Sequence, residues 1–356
     1  LSTIYLHIGM PKTGSTAIQN FFHRQRARAK TAGLMYSSVA GVNHGRFLDS
    51  QYSYARPNVA QRLARLGASH MLAEREESRA AFIAEMQGAV DEGLDGLLSA
   101  ENLSEMLAKE LVALRDSLPM FDRFVVLGFA RPPHAWNRSM VQQSLKDGVG
   151  FESHVQTPRV PVYSRRFGQH LAVFGDNVRL KIFHRSKLVE GCILQTLLTM
   201  MDGDRSALAS ARAPRVNESM SLTSAKLLVL LNEGQARRSF AKLPGRIADE
   251  LGRGFSGAFF EEAFASEKPF TRYPQKFLSR ILAIPGPKFQ VPLEVEEAAA
   301  ERVETEVGWI SDLLGEDIRQ FDDRQSGERM RLKEYATFSD AEVDAIVATI
   351  ERINAK

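Results

Sequence analysis

Apolar residues follow two rhythms along this chain. Strand-length stretches rich in apolar residues recur at Thr3–Ile8, Gly33–Ser37, Gly96–Ser99, Arg123–Ala130 and Asn177–Phe183. Thr3–Ile8 shows little polar alternation, the mark of a buried strand. Between them apolar residues return every three or four positions. This predicts helices over Thr16–Lys30, with Ile18, Phe21 and Phe22 on one side, over Ser78–Glu92, and from Pro133 to about Lys146. Lys187–Met201 and Met220–Arg238 follow the same period, the latter with Leu222, Lys226, Val229 and Leu230 spaced for one face. Beyond Pro244 the rhythm weakens, and Glu294–Leu314 and Ser339–Asn354 read as further helices. Ser339, with Glu342 three residues on, has the spacing of a capping box. Val39–Pro57 and Gly148–Pro161 read as loops.

Strands alternating with helices predict a parallel sheet covered on both faces, a three-layer α/β/α protein. We read residues 1–356 as a single domain, with an α/β core over 1–240 and a mainly helical extension over 241–356. In such sheets ligands bind beyond the carboxyl ends of the strands. The loop Gly9–Thr16, the turn at Glu101 and the turn at Arg131 each follow a strand, so they should share one rim.

Composition narrows the class. With 44% hydrophobic and 25% charged residues, the chain is ordinary for a globular protein. A net charge of +3 is too small to argue for a nucleic-acid partner, and suits a modest field over an anion site. The single cysteine, Cys192, excludes an intrachain disulfide and a cysteine-cluster metal site, which points to the cytoplasm. No stretch reaches the roughly 20 apolar residues of a membrane span. The chain enters its first strand directly, so no leader segment is expected.

The chemistry concentrates in Ile4-Tyr5-Leu6-His7-Ile8-Gly9-Met10-Pro11-Lys12-Thr13-Gly14-Ser15-Thr16. A strand, a glycine turn and a helix in that order make an anion cradle: backbone N–H groups converge, and the helix dipole favours negative charge. Gly9 and Gly14 have the spacing of the nucleotide signature G-x-x-x-x-G-K-[ST]. Lysine, however, is absent after the second glycine and stands before it, as Lys12. A second constellation is Arg131-Pro132-Pro133, with Ser139 two helical turns past the helix start. A guanidinium at a strand end can fork onto a phosphate.

Together these motifs resemble the sulfotransferases that use 3′-phosphoadenosine 5′-phosphosulfate (PAPS), and they resemble bacterial and carbohydrate-type members most. Pro11–Thr16 is similar to the family's Pro-Lys-(Thr/Ser)-Gly-(Thr/Ser)-Thr loop, and Arg131, Pro133 and Ser139 to its second motif. Phe167–Leu188 and Val216–Met220 also look like bacterial members. The resemblance implies a P-loop NTPase-like fold, PAPS as donor, the bisphosphate PAP as product and no metal. It implies cofactor contacts from Pro11, Lys12, Thr13, Gly14, Ser15, Thr16, Arg131, Ser139 and Asn217. It also gives Lys12 a catalytic role on the oxygen bridging phosphate and sulfate. Ala17 stands where many members carry an adenine-stacking Trp, and the family's glycine-rich C-terminal motif is not apparent, so the adenine contact is unassigned.

An acceptor hydroxyl must lose its proton as it attacks, so a base is expected within reach. Glu101, just past a strand end, and His44, in the polar loop after the second strand, both qualify. The acceptor expected is a carbohydrate or glycolipid hydroxyl. Two other readings stand beside this one: a P-loop kinase or NTPase, and a non-catalytic protein binding nucleotides or sulfated glycans.

Overall fold

The computed structural model describes residues 1–65, 67–212, 220–237, 243–254, 273, 275–322 and 329–354. Strands form where the apolar-rich stretches predict them: β1 (Thr3–Ile8), β2 (Leu34–Tyr36), β3 (Asp95–Ala100), β4 (Arg123–Ala130) and β5 (Val178–Ile182). They pair in one all-parallel sheet of order β2-β3-β1-β4-β5. Every β1 residue is buried, as a parallel strand covered on both faces requires. The protein is thus mixed α/β around a central five-strand parallel sheet, consistent with a three-layer α/β/α arrangement.

Register decides what the sheet presents. Ile8 lies opposite Ala100 of β3 and Gly128 of β4. β1 and β3 therefore end level, and β4 runs two residues further, to Ala130. Glu101, the loop after Ile8 and Arg131 emerge from three adjacent strands around the point where the strand order reverses, the place where such sheets bind ligands.

The chain divides into two compact units. The first comprises Leu1–Pro132, Val162–Val216 and Glu306–Phe321, and it holds the sheet. Its core joins Tyr5, Leu97, Val125 and Phe129 from the strands to Ile18, Phe22, Leu194 and Leu197 from helices. The second comprises Pro133–Pro161, Asn217–Thr305 and Asp322–Lys356, around Leu227, Leu230, Phe277, Phe289 and Ile346. The contact division does not follow a cut at residue 240, because segment 133–161 groups with the C-terminal half. Within the second unit, Ser339 and Glu342 form the expected capping box: Ser339 N–H donates to Glu342 Oε2 at 2.9 Å, and Glu342 N–H to Ser339 Oγ at 3.3 Å.

Several elements differ from the sequence reading. The first helix breaks at Gln25 into Ser15–Arg24 and Arg26–Thr31. Segment 39–57, read as loop, contains a helical turn, Gly45–Leu48, and a π-helical turn, Asp49–Ser53, buried throughout. Of Lys187–Met201 only Ile193–Thr199 is α-helix. Tyr163–Phe174 is a helix that the sequence reading does not name, and it ends at Gly175. In Gly148–Pro161 a short helix covers Phe151–Gln156. No helix among the described residues is long and apolar enough to cross a membrane.

Candidate functional site

The loop after β1 is shaped by glycines and by its own hydrogen bonds. Gly9 N–H donates to Ala100 O at 3.1 Å, which anchors the loop to the end of β3. A Cβ on Gly9 would collide with Ser15 Oγ and stand 3.0 Å from Glu101 Cγ, so only glycine lets both side chains close on that spot. Thr13, fully buried, donates from Oγ1 to Met10 O at 2.6 Å and from its N–H to the same oxygen at 3.2 Å. Its hydroxyl proton is therefore spent on shaping the turn. Lys12 takes φ 70°, a left-handed conformation unusual for a side-chain-bearing residue, and Gly14 takes φ 77°. Arg131 donates from Nη1 to Lys12 O and braces this strained position.

The helix Ser15–Arg24 begins at that left-handed Gly14 with no side-chain cap and no acidic residue in its first turn. The leading N–H groups of a helix have no partner within it, and they carry the positive end of its dipole. Ser15 is buried, at 2% exposure, and its Oγ has no hydrogen-bond partner among the described residues. Thr16 is exposed. Ile18, Phe21 and Phe22 on the inner face pin the helix to the core and so fix its open end at the loop.

Glu101 directly follows β3 and precedes a 3-10 turn, Asn102–Glu105. Burial pushes its carboxyl above the usual range, while the charges of Lys12 and Arg166 pull it back and Glu105 adds to the rise. Around the turn lies a partly buried polar network. Asn102 Nδ2 donates to Asp49 Oδ2 at 2.6 Å, and Arg62 pairs with that oxygen at 2.6 Å and with Glu105 at 3.2 Å.

Arg131 lies at the end of β4, with its guanidinium 5.6 Å from the centre of the Phe183 ring. Its carbonyl accepts from Tyr163 Oη at 2.5 Å. His44 takes a different place. It is fully buried, tilted against Tyr36 with ring centres 4.2 Å apart, and its Nδ1 accepts from Ser99 N–H at 3.2 Å. Burial pushes its imidazole down to about 3. It thus sits behind the rim as a neutral ring stapled to β3, without an open face for a substrate.

The structure brings Pro11–Thr16, Glu101 and Arg131 together within the first unit. Ser139 belongs to the second unit, in the helix Pro133–Lys146, and is partly exposed. Asn217 lies outside the described residues. Ser104, Asn102 and Arg166 lie outside the motifs named from the sequence. Ser104 follows Glu101 at turn spacing, the one local signal available. Arg166 reaches the site from a helix remote in sequence. Compared with protein-family models, with curated proteins and with solved structures, the chain matches none.

Proposed function

We propose that this chain is a sulfotransferase of P-loop NTPase-like fold, moving a sulfuryl group from PAPS to a hydroxyl of a carbohydrate or glycolipid. The reading is carried by the buried, unpartnered Ser15 hydroxyl at an uncapped helix start, beside Gly9 and against Glu101. An orphaned buried donor in a cradle that a methyl group would fill fits an anion, and the residues around it fit a phosphosulfate. Ser15 Oγ and the N–H groups of Gly14 to Thr16 would hold it, with Lys12 as the nearby cation.

PAPS when bound supplies the sulfuryl group, with the phosphate–sulfate bridge as the bond that breaks. Lys12 would stabilise the negative charge that such a transfer builds on the bridging oxygen. Its place before Gly14 suits a single phosphate carrying sulfate, whereas a lysine after Gly14 would serve a triphosphate with Mg²⁺. Glu101 takes the acceptor proton onto a carboxylate oxygen. Burial raises its basicity, while the charges of Lys12 and Arg166 favour its ionised form. Arg131 holds the loop in its strained form. We assign His44 a scaffold role. A cytoplasmic site of action suits the single cysteine.

Calorimetric titration tests the donor site. PAP should bind without Mg²⁺ and ATP should not; ATP binding that requires Mg²⁺ would make the protein a kinase or NTPase instead. Labelled PAPS against a panel of glycans and glycolipids tests transfer. Glu101→Gln should keep PAP affinity and lose turnover by about 10²-fold or more. His44→Ala should mainly lower stability. PAP binding with no transfer to any acceptor would leave a non-catalytic binder.

A further inference from the structure

Ser104 lies three residues past Glu101 and is buried. Its Oγ donates to Glu101 O at 2.7 Å and stands 3.4 Å from Gly9 O. A hydroxyl has one proton, so its remaining capacity is to accept, and Arg166 Nη1 fills it at 2.9 Å. The same Nη1 is 3.8 Å from Glu105 Oε1, too far for a hydrogen bond. Glu105 is held instead by Arg62. The Arg166 guanidinium is thus hydrogen-bonded to a neutral hydroxyl, and its contact with the Glu105 carboxylate is a longer ion pair at 3.8 Å. Its helix, Tyr163–Phe174, is tied to the following segment by Ala108 N–H donating to Gln169 Oε1 at 2.9 Å.

We propose that Arg166 is a positioning residue for Glu101. Through Ser104 it locks the turn that carries the carboxylate and ties that turn to Gly9, and its charge acts on Glu101 together with that of Lys12. The inference rests on Glu101 being the base. It goes further by naming the device that holds a buried carboxylate in place beside an anion site.

The charges around Glu101 are few. Lys12 and Arg166 favour its ionised form and Glu105 opposes it. From the neighbouring elements come Arg56, whose Nη1 donates to Glu105 O at 3.1 Å, the Arg62–Asp49 pair, and exposed Arg46 and Arg165. His7, His44 and His170 are buried and pushed down to about 4, about 3 and about 4, so they stay neutral well below the ordinary imidazole range.

The test is a carboxyl titration of the full chain, with ¹³C-labelled glutamate read by NMR and the Glu101 signal identified by its loss in E101Q. In R166M the midpoint should move up by about one pH unit relative to wild type. R166K, which keeps the charge, should restore most of that shift. S104A should move it in the same direction by less, because the guanidinium is no longer held. PAP affinity of R166M, measured by calorimetry, should stay within about twofold of wild type, since the donor cradle is untouched. Midpoints in R166M and S104A that coincide with wild type overturn the proposal. If R166M does not fold, S104A decides alone. If wild type binds no PAP, the functional reading fails while the titration still judges the role of Arg166.

Discussion

A buried hydroxyl with nothing to bond costs about 1–3 kcal/mol, and a fold keeps one only where something else requires it. Ser15 carries such a hydroxyl, and Thr13, two residues away, does not. The two therefore respond to substitution in opposite ways. Ser15→Ala should leave stability unchanged or raise it by up to ~1 kcal/mol, while weakening PAP binding by about tenfold. Thr13→Val should lower stability by ~1 kcal/mol, because Met10 O loses the hydroxyl donor at 2.6 Å and keeps only the backbone N–H at 3.2 Å. Denaturant unfolding and calorimetry on both variants check this. If Ser15→Ala destabilises as much as Thr13→Val, Ser15 is scaffold and the cradle loses its main support. In the sequence these two residues look alike, as hydroxyls in one motif. The motif marks the loop on which the candidate site is built. Which hydroxyl shapes the loop and which is left open depended on where each chain atom points, and no spacing rule carries that.

At the scale of elements, legibility followed burial. Most strands were readable because a parallel strand covered on both faces has little polar alternation; the edge strand β5, Val-Arg-Leu-Lys-Ile, alternates instead, and all five fall within a few residues of the predicted segments. The helix Tyr163–Phe174 was not readable as such. Its buried face is Tyr163, Phe167, His170 and Phe174, and a histidine in that row breaks the apolar rhythm. Segment 39–57 failed for the same reason, since Asp49, Ser50, Gln51 and Ser53 are polar yet buried, satisfied in part by Arg62 and Asn102. Glycines inside strands carry a related signal, close approach of a neighbour. A Cβ on Gly128 of β4 would stand 2.7 Å from Leu180 Cδ2 and 3.1 Å from Ile8 Cγ1, between the two flanking strands. Gly128→Ala should therefore destabilise by about 1–3 kcal/mol, through overpacking. Gly88, in the helix Arg75–Asp91, has nothing within 4 Å of such a Cβ. Gly88→Ala should instead stabilise by up to ~1 kcal/mol. Denaturant midpoints of the pair read the contrast, and equal effects would refute the claim that β4 has no room between β1 and β5.

For the whole molecule, the buried histidines set the response to acid. His7, His154 and His170 are pushed down by burial to about 4 and His44 to about 3, from an ordinary 6.5. As pH falls through 6.5, these histidines take up protons in the unfolded chain but not in the folded one. Unfolding then binds protons, and stability falls with pH over the window from 6.5 to about 4. Above 6.5 both states are neutral at these sites and the histidines add no slope. Glu101 and Asp49, whose carboxyls burial raises, act in the opposite sense near the bottom of the window. Four histidines outweigh two carboxyls if each contributes roughly 1–3 kcal/mol by pH 4. That sum is comparable with the ~5–15 kcal/mol margin of a typical domain. Denaturant midpoints measured from pH 8 to pH 4 should be flat at first and then drop steeply below 6.5. A flat profile down to pH 4.5 would mean that the rings find water or carbonyl partners when protonated. Three of the four histidines belong to the first unit, so acid should weaken the half that carries the proposed donor site, and PAP affinity should be lost over the same window.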